Sequence, residues 1–192
     1  LLRDVLVLTG IERTRVLELL RLLAYQIGSE VSYGELAQAA RMDIKTVVRY
    51  VDLLEHAFVL VRLSAFSKNL RKEISKSRKI YFVDLGIRNA LIGRFGAPSD
   101  RDDVGGIWEN YLVMERLKRN RYLRLPVQSW FWRTYDRQAI DYVEETQGGL
   151  SAYEFKWHAR RSPRVPVAWA GAYPEASYIP VGPEEALDFL RY

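Results

Sequence analysis

Residues 139–157 read AIDYVEETQGGLSAYEFKW, and this stretch decides the fold class of the second half of the chain. Two strand-like runs flank a turn that contains Gly148 and Gly149, which is the pattern of an antiparallel hairpin. Because side chains alternate along a strand, Glu154 and Lys156 share one face and the aromatic residues beside them share the other. We therefore expect one face of the hairpin to pack and the other to carry charge.

A third charged residue, Asp141, lies in the first strand of this hairpin among apolar neighbours, where burial of a charge is costly unless it is paired. Carboxylates on adjacent strands can supply the oxygen ligands that Mg²⁺ prefers. In phosphodiester hydrolysis, such a metal activates water while a nearby ammonium stabilises the developing negative charge. We therefore predict a catalytic set of Asp141, Glu154 and Lys156, with Mg²⁺ held by Asp141, Glu154 and Glu109. The alternatives are a structural ion pair on the strands and, for Glu109, an acid favoured only by the helix dipole.

The composition restricts the sites that this chain can form. It has 192 residues, 48% of them apolar, so we expect two domains of ordinary size. It has no cysteine and two histidines, which excludes a disulfide framework, a thiolate metal site and a His-rich zinc site. No apolar run approaches the roughly 20 residues of a membrane span, and no signal peptide is recognisable, so we expect a cytoplasmic protein without membrane contact. The chain starts with Leu1 inside an apolar pattern, so we also expect a fragment of a longer protein.

The positive charge is concentrated in the first half of the chain. The net charge is +5, and the residues up to Gly96 contain 16 Lys and Arg against 10 Asp and Glu, whereas the remainder contains 13 against 14. A basic balance permits a polyanionic partner without establishing one. Any contact with nucleic acid is therefore expected mainly in the first half.

That first half has the pattern of a helix-turn-helix. Ser32 and Glu35 have the spacing of a capping box, and Asp43 can cap a second helix, so two helices are predicted on either side of the Arg41-Met42 turn. We expect the second helix to bury an apolar stripe and to turn polar residues towards solvent. The predicted stripe is Ile44, Val47, Val48, Val51 and Leu54, and the predicted solvent face is Lys45, Thr46, Arg49 and Tyr50.

A basic hairpin follows these helices. Strand-like runs at 58–63 and 80–83 flank residues 67–79, which contain six Lys or Arg and one acid. A hairpin with a basic tip after a helix-turn-helix is typical of a wing, and both elements would contact phosphates. The alternative is a solvated helix face and a solvated hairpin tip. The predicted nucleic-acid-binding residues are Lys45, Thr46, Arg49, Lys68, Arg71, Lys72 and Lys76.

Several stretches, in order, resemble known families. Asp141, separated by twelve residues from Glu154-Phe155-Lys156 and preceded by a helix that bears Glu109, resembles the PD-(D/E)xK nuclease motif. More widely, the chain resembles the C-terminal half of a prokaryotic AAA-type ATPase family, in which a P-loop ATPase precedes a winged helix and a nuclease-like domain. The stretches that carry this resemblance are SYGELAQAARMDIKTVVRYVDLLEHAFVLVRL, KIYFVDLGIRNALIG, GGIWENYLVMERL, WFWRT, IDYVEE and YEFKW.

The resemblance implies an α+β fold, with a winged helix-turn-helix followed by a restriction-endonuclease-like α/β core. The stretch Gly96-Ala97-Pro98-Ser99-Asp100 interrupts the apolar pattern, so we expect the two domains to be residues 1–95 and 96–192. The resemblance also implies duplex or branched DNA as a partner and an upstream ATPase domain in the same protein. That upstream domain would bind ATP, because no Gly-x-x-x-x-Gly-Lys-[Ser/Thr] loop occurs in this chain. Two functions stay open: a Mg²⁺-dependent endonuclease-like domain, or a non-catalytic DNA- or protein-binding regulatory module that keeps the nuclease fold as a scaffold.

Overall fold

The computed structural model describes residues 12–68, 77–158 and 163–191. Within these ranges the chain has the mixed α+β composition that was predicted, with seven α-helices and six strands. No helix in the described part combines the length and the apolar character that a bilayer crossing requires. The helices are α1 (Arg13–Tyr25), α2 (Tyr33–Ala39), α3 (Ile44–His56), α4 (Leu85–Ile92), α5 (Val104–Tyr122), α6 (Val167–Ala172) and α7 (Ala186–Leu190). The strands are β1 (Leu60–Phe66), β2 (Arg78–Phe82), β3 (Gln128–Arg133), β4 (Ala139–Thr146), β5 (Gly149–Phe155) and β6 (Ser177–Val181).

The described residues divide into two compact units. The first comprises 12–62 and 78–101. The second comprises 63–68, Ser77, 102–158 and 163–191. Strand β1 therefore gives its first three residues to one unit and its last four to the other. The domain boundary expected between residues 95 and 96 stays a prediction.

Two helices of the first unit begin at the predicted capping residues. Ser32 Oγ accepts a hydrogen bond from the backbone N–H of Glu35 at 3.3 Å, at the start of α2. Asp43 Oδ1 accepts one from the N–H of Thr46 at 2.9 Å, at the start of α3. Each cap satisfies an N–H that has no partner within its helix. Between the two helices Arg41 has a φ of 50°, which turns the chain sharply. Both predicted helices and their tight turn are confirmed.

The exposure of α3 differs most from the prediction at two positions, while Thr46 and Val48 are both half-buried. Tyr50 is 4% exposed and belongs to the core, whereas Ile44 is 54% exposed. Side chains of a helix lean towards its N-terminus, so Ile44, the first residue of α3, overhangs the preceding turn. The buried stripe therefore starts at Val47 and is wide enough to include Tyr50.

The strand order is β2-β1-β3-β4-β5-β6. Strands β3 and β4 and strands β4 and β5 pair in antiparallel register, while β1 with β3 and β5 with β6 are parallel. The hairpin of β4 and β5 turns where it was predicted, since Thr146 pairs with Gly149. Gly149 has a φ of 116°, a conformation that glycine adopts without steric cost. This hairpin is the element that carries the predicted acids and lysine.

Two aromatic clusters pack on the strands of the second unit. In one, the ring of Trp169 from α6 lies 5.2 Å from that of Trp132 on β3. In the other, the ring of Phe189 from α7 lies 4.9 Å from that of Tyr153 and 5.5 Å from that of Phe155. The aromatic residues of β5 are therefore core residues, as the alternation along the strand predicted.

Candidate functional site

The β4–β5 hairpin places Asp141 and Glu154 side by side. Tyr142 pairs with Tyr153 in the antiparallel register, and the next step along the strands sets Asp141 opposite Glu154. Residues directly opposite each other in antiparallel strands point to the same face, with Cβ atoms about 4.5–5.5 Å apart. The backbone also fixes one oxygen of Asp141, because its Oδ2 accepts a hydrogen bond from the N–H of Phe155 at 3.0 Å. The structure thus brings together the two acids that the sequence singled out.

Lys156 follows the last residue of β5 and turns its ammonium towards these acids. Its Nζ donates a hydrogen bond to Glu154 Oε1 at 2.7 Å, and the two side chains are 44% and 15% exposed, respectively. Burial lowers the pKa of Lys156, but the hydrogen bond and charge of Glu154 and the charges of Asp141 and Glu109 outweigh burial and raise that pKa above its ordinary value. Lys156 is therefore a cation at neutral pH.

Glu109 joins the set from α5, where it is 8% exposed. Its charge acts on Lys156, so the helix and the hairpin come within electrostatic range of each other at this point. Among residues 12–68, 77–158 and 163–191, no group of three or more His, Cys, Asp or Glu side chains is arranged to hold a metal ion together. The register supports Asp141 and Glu154 as neighbouring acids, and the assignment of a metal to them stays a prediction.

Tyr178 adds a phenol to this face, which the sequence pattern did not indicate. In the parallel pairing of β5 with β6, Ala152 is opposite Tyr178 and Glu154 is opposite Pro180. Tyr178 and Glu154 therefore point to the same face of the sheet. Burial raises the pKa of Tyr178, and the negative charges of Glu154 and Asp141 raise it further. The phenol consequently keeps its proton. No local sequence pattern specifies that β6 becomes the neighbour of β5.

A second carboxylate–cation pair, also missed by the sequence reasoning, joins β4 to α5. Arg116 binds Glu144 through two bonds, Nε to Oε1 at 3.0 Å and Nη2 to Oε2 at 2.8 Å, with side chains that are 13% and 4% exposed. Asn120 Nδ2 and the hydroxyl of Tyr142 also donate to Glu144 Oε1, at 2.6 and 3.1 Å. Burial raises the pKa of Glu144, but the bonds and charge of Arg116, helped by the other donors, lower it below its ordinary value. Because protein donors surround this carboxylate, its role is to fix α5 on the sheet.

The residues predicted to bind nucleic acid lie in different settings. Lys45 and Arg49 are exposed on α3, whereas Thr46 is half-buried and its hydroxyl takes part in the helix cap. Lys68 is 57% exposed, and its Nζ donates to Glu145 Oε1 at 2.9 Å. Contact of these residues with nucleic acid stays a prediction. The remaining predicted residues, which lie outside the described ranges, are Arg71, Lys72 and Lys76.

Relatives occur in bacteria and archaea. An uncharacterized protein of Mycobacterium tuberculosis is 31% identical over 137 residues, which cover 70% of this chain and 30% of that protein. An uncharacterized protein of Methanocaldococcus jannaschii is 30% identical over 99 residues, which cover 52% of this chain and 21% of that protein. One of Haemophilus influenzae is 26% identical over 124 residues, covering 62% and 30%. The chain thus spans less than a third of the length of these relatives. No solved structure matches it.

Two family models match successive parts of the chain. Residues 104–185 match a domain of unknown function, DUF4143, which is found in AAA-ATPase-associated proteins. This agrees with the AAA-type ATPase context that the sequence motifs implied. Residues 1–97, which are half of the chain, match another domain of unknown function, DUF8612. The chain therefore belongs to the DUF8612 family.

Proposed function

We propose that this chain is the nucleic-acid-handling part of a larger AAA-type ATPase, with a DNA-binding winged helix followed by a Mg²⁺-dependent, endonuclease-like domain of the restriction-endonuclease type. The observation that carries the proposal is the ammonium of Lys156, held 2.7 Å from Glu154 on the face that Asp141 shares. Two acids on neighbouring strands with a lysine two residues after the second acid are the elements of the PD-(D/E)xK motif. The DUF4143 match, together with the greater length of the relatives, supports an ATPase domain elsewhere in the protein.

The winged-helix part of the proposal is supported by the order and pairing of elements in the first half. Helix α3 follows α2 after a tight turn, and strands β1 and β2 come next. The N–H of Ala65 donates to the carbonyl of Ser77 at 3.3 Å, and the N–H of Val83 donates to that of Val59 at 3.1 Å, which is an antiparallel register. In winged helices the second helix enters the major groove of DNA while other elements contact the backbone. The exposed side of α3 would make the groove contacts here.

The donor set on the hairpin fits a hard cation, because it consists of carboxylate oxygens on adjacent strands. Asp141 and Glu154, with Glu109 as the third acid, would hold Mg²⁺, which would activate a bound water and screen the phosphate. The N–H of Phe155 keeps the Asp141 carboxylate oriented through one of its oxygens. The raised pKa of Lys156 prevents this lysine from acting as a base at neutral pH. Lys156 would instead stabilise negative charge that develops on the phosphate.

The closed Glu154–Lys156 pair favours a second candidate function. Lys156 already balances one carboxylate through a 2.7 Å hydrogen bond, so the fold does not need a metal ion to neutralise Glu154. In this alternative, the second unit is a non-catalytic DNA- or protein-binding module that keeps the nuclease-like scaffold and serves the ATPase. The two functions differ in whether a phosphodiester bond is broken.

Cleavage assays on duplex, branched and single-stranded DNA, with Mg²⁺, Mn²⁺ or EDTA, decide between the two. We expect metal-dependent cleavage by the wild type and a loss of at least about 100-fold in Asp141→Asn and Lys156→Met, which remove a ligand and a stabilising charge. The matched control is Asp136→Asn, which neutralises an exposed acid in the turn before β4 and should keep full activity. Wild-type protein that binds DNA but cleaves none of these substrates would favour the scaffold function.

Charge reversal tests DNA binding by the first half. The affinity for duplex DNA should fall steeply with salt, and Arg71→Glu combined with Lys72→Glu should weaken binding about equally for all sequences. Lys45→Glu combined with Arg49→Glu should have a comparable effect if α3 lies in the groove. The control is reversal of Arg13 and Arg21, which are exposed on α1. Equal losses in the control and the test variants, measured by fluorescence anisotropy, would remove both α3 and the wing from the proposed interface.

A further inference from the structure

An aromatic cluster formed by Trp108, Tyr111 and Trp157 lies outside the proposed catalytic set. The ring of Trp108 is 5.2 Å from that of Trp157, in an edge-on arrangement, and stacks on that of Tyr111 at 5.9 Å. Tyr111 is 43% exposed, and the two tryptophans are half-buried. The indole N–H of Trp108 is buried and has no hydrogen-bond partner in the described part of the chain. The cluster therefore exposes aromatic surface to solvent, and it contains a buried indole N–H that has no partner among the described residues.

The cluster adjoins the proposed catalytic set along both chain segments that form it. Trp108 precedes Glu109 on α5, and Trp157 follows Lys156. The charge of Glu109 acts on Lys156, so these two segments also meet at the acids and the lysine. The cluster therefore lies next to the proposed catalytic set in both chain segments.

Tyr111 also forms a wall of an open depression between α5 and α7. The volume of this depression is about 460 Å³, within the range of roughly 300–1,000 Å³ that is usual for ligand pockets. Apolar side chains form most of its lining, and one carboxylate and one guanidinium provide an acceptor and a donor. The lining residues are Tyr111, Glu115, Leu187, Leu190 and Arg191.

We infer that the aromatic cluster and this depression bind an unpaired base of a single-stranded nucleic-acid segment; the inference rests on the proposed function and names its substrate class. A flat ring between aromatic and leucine side chains is the contact that an unstacked base makes in single-strand-binding proteins. Bases within a duplex are stacked on one another and cannot enter. Glu115 and Arg191 have the acceptor and donor groups that base edges pair with.

Charge favours this occupant over the apolar surface of a protein partner. Arg119 Nε donates to the backbone carbonyl of Arg191 at 2.6 Å, so two guanidinium groups lie at the depression, and Arg121 is exposed in the last turn of α5. Positive groups along a groove with aromatic rings are the combination by which proteins follow the backbone of a single strand and stack its bases. The occupant that fits this depression is therefore a strand with at least one unpaired nucleotide, such as a frayed end, a branch or a loop.

Binding measurements on the full chain in EDTA test this inference without any cleavage. The probes are a fluorescein-labelled (dT)₁₂ strand, a strand of the same length with abasic positions in the middle, and a 12-base-pair duplex, each measured by anisotropy. The wild type should bind (dT)₁₂ more tightly than the abasic strand, which keeps the phosphates and lacks the bases. Tyr111→Ala should weaken (dT)₁₂ binding about tenfold, the usual scale for one stacked base, and leave duplex binding unchanged. Tyr111→Phe should keep the wild-type affinity because the ring remains.

The control is Tyr135→Ala, which removes a tyrosine that is 66% exposed elsewhere in the second unit and should change nothing. Equal wild-type affinities for (dT)₁₂ and the abasic strand would overturn the inference without reliance on any variant. So would equal losses in Tyr111→Ala and Tyr135→Ala, or equal weakening of single-strand and duplex binding by Tyr111→Ala. A (U)₁₂ probe with the same dependence on Tyr111 would support recognition of an unpaired base and would assign RNA as well as DNA.

The outcome is separable from that of the cleavage assay. The binding probes are measured in EDTA, so a dependence of binding on Tyr111 does not require the proposed metal site. Single-strand binding that depends on Tyr111, in a protein that cleaves no substrate, would contradict the nuclease proposal and support the base-binding site. Metal-dependent cleavage in a protein whose binding is indifferent to Tyr111 would do the reverse.

Discussion

Glu144 with Arg116 and Glu154 with Lys156 are both carboxylate–cation pairs on the β4–β5 hairpin, yet their surroundings differ. In the Arg116–Glu144 pair, the side chains are 13% and 4% exposed, respectively. Two direct hydrogen bonds join them, and Asn120 and Tyr142 donate further hydrogen bonds to Glu144. Side chains 44% and 15% exposed form the Lys156–Glu154 pair, which has one hydrogen bond of 2.7 Å. By strand alternation the two carboxylates point to opposite faces of the sheet.

The difference separates a pair that holds the fold from a pair that can exchange partners. The planar guanidinium of Arg116 matches both oxygens of Glu144 and suits a permanent, buried contact. The ammonium of Lys156 is a compact charge on a flexible stem and stays in contact with solvent. A ligand that competes for Glu154 would displace the hydrogen bond from the half-exposed Lys156, whereas one that competes for Glu144 would have to break a buried network. The two pairs therefore differ both in the cation and in burial, and both differences assign them different roles.

The largest effect that we predict is the loss of stability when the buried pair is broken. Arg116→Ala should lower the free energy of unfolding by about 3–5 kcal/mol, because it leaves Glu144 buried without its cation. Lys156→Ala should cost no more than about 1 kcal/mol, since Lys156 is 44% exposed and solvent screens its charge. Urea denaturation of the two variants and the wild type measures both values. Similar losses in the two variants would contradict the assignment of different roles to the two pairs.

Removing both members of the buried pair is the matched control. Arg116→Met combined with Glu144→Leu should recover part of the stability that Arg116→Ala loses, because no unpaired charge stays buried. A double variant as unstable as Arg116→Ala would mean that packing, and not the charge of Glu144, causes the loss.

The next effect in size concerns divalent metal at the exposed pair. If Asp141 and Glu154 hold a metal, Mg²⁺ or Mn²⁺ should stabilise the folded chain by about 2.7 kcal/mol at 100 times the dissociation constant. Asp141→Asn should abolish this metal-dependent shift in Tm. Glu144→Gln should lower Tm and keep the shift, because its carboxylate belongs to the other pair. No shift in the wild type at millimolar metal, or a full shift in Asp141→Asn, would remove the metal assignment.

Local features of this fold were predictable because neighbouring residues determine them. The caps at Ser32 and Asp43 depend on hydrogen bonds that span three residues. The turn at Gly149 depends on a backbone conformation that few residues other than glycine adopt. The proximity of Asp141 and Glu154 follows from the same hairpin, since the turn sets the register of its two strands. Sequence reasoning therefore reached the part of the candidate site that lies within one hairpin.

Features that depend on distant segments were not predictable. Arg116 and Glu144 are 28 residues apart, and only the packing of α5 on β4 makes them partners. Tyr178 reaches the site because β6 pairs in parallel with β5, and no local pattern specifies which strand becomes its neighbour. The errors at Ile44 and Tyr50 have a similar cause, since periodicity gives the direction of a helix face but not the extent of the core that covers it.

The smallest effect that we predict is a difference in pH dependence between the two pairs. The pKa of Glu144 is lowered in the folded chain, so its contribution to stability is complete above the unfolded value of about 4.3 and is lost as pH falls through the folded pKa. The pKa of Lys156 is raised, so its contribution is complete below about 10.4 and is lost as pH rises through the folded pKa. The two pairs should therefore fail at opposite ends of the pH scale.

Urea denaturation at pH 3, 7 and 11.5 of the wild type, Glu144→Gln and Lys156→Gln measures this difference. The stability gap between the wild type and Glu144→Gln should shrink from pH 7 to pH 3, because protonation of the wild-type carboxyl removes the same charge as the substitution. The gap between the wild type and Lys156→Gln should shrink from pH 7 to pH 11.5, and by less, since solvent already screens a side chain that is 44% exposed. A Lys156→Gln gap that is unchanged at pH 11.5 would show that Glu154 and Asp141 gain nothing from the ammonium beside them. In that case, groups other than Lys156 would have to balance the negative charges of Glu154 and Asp141.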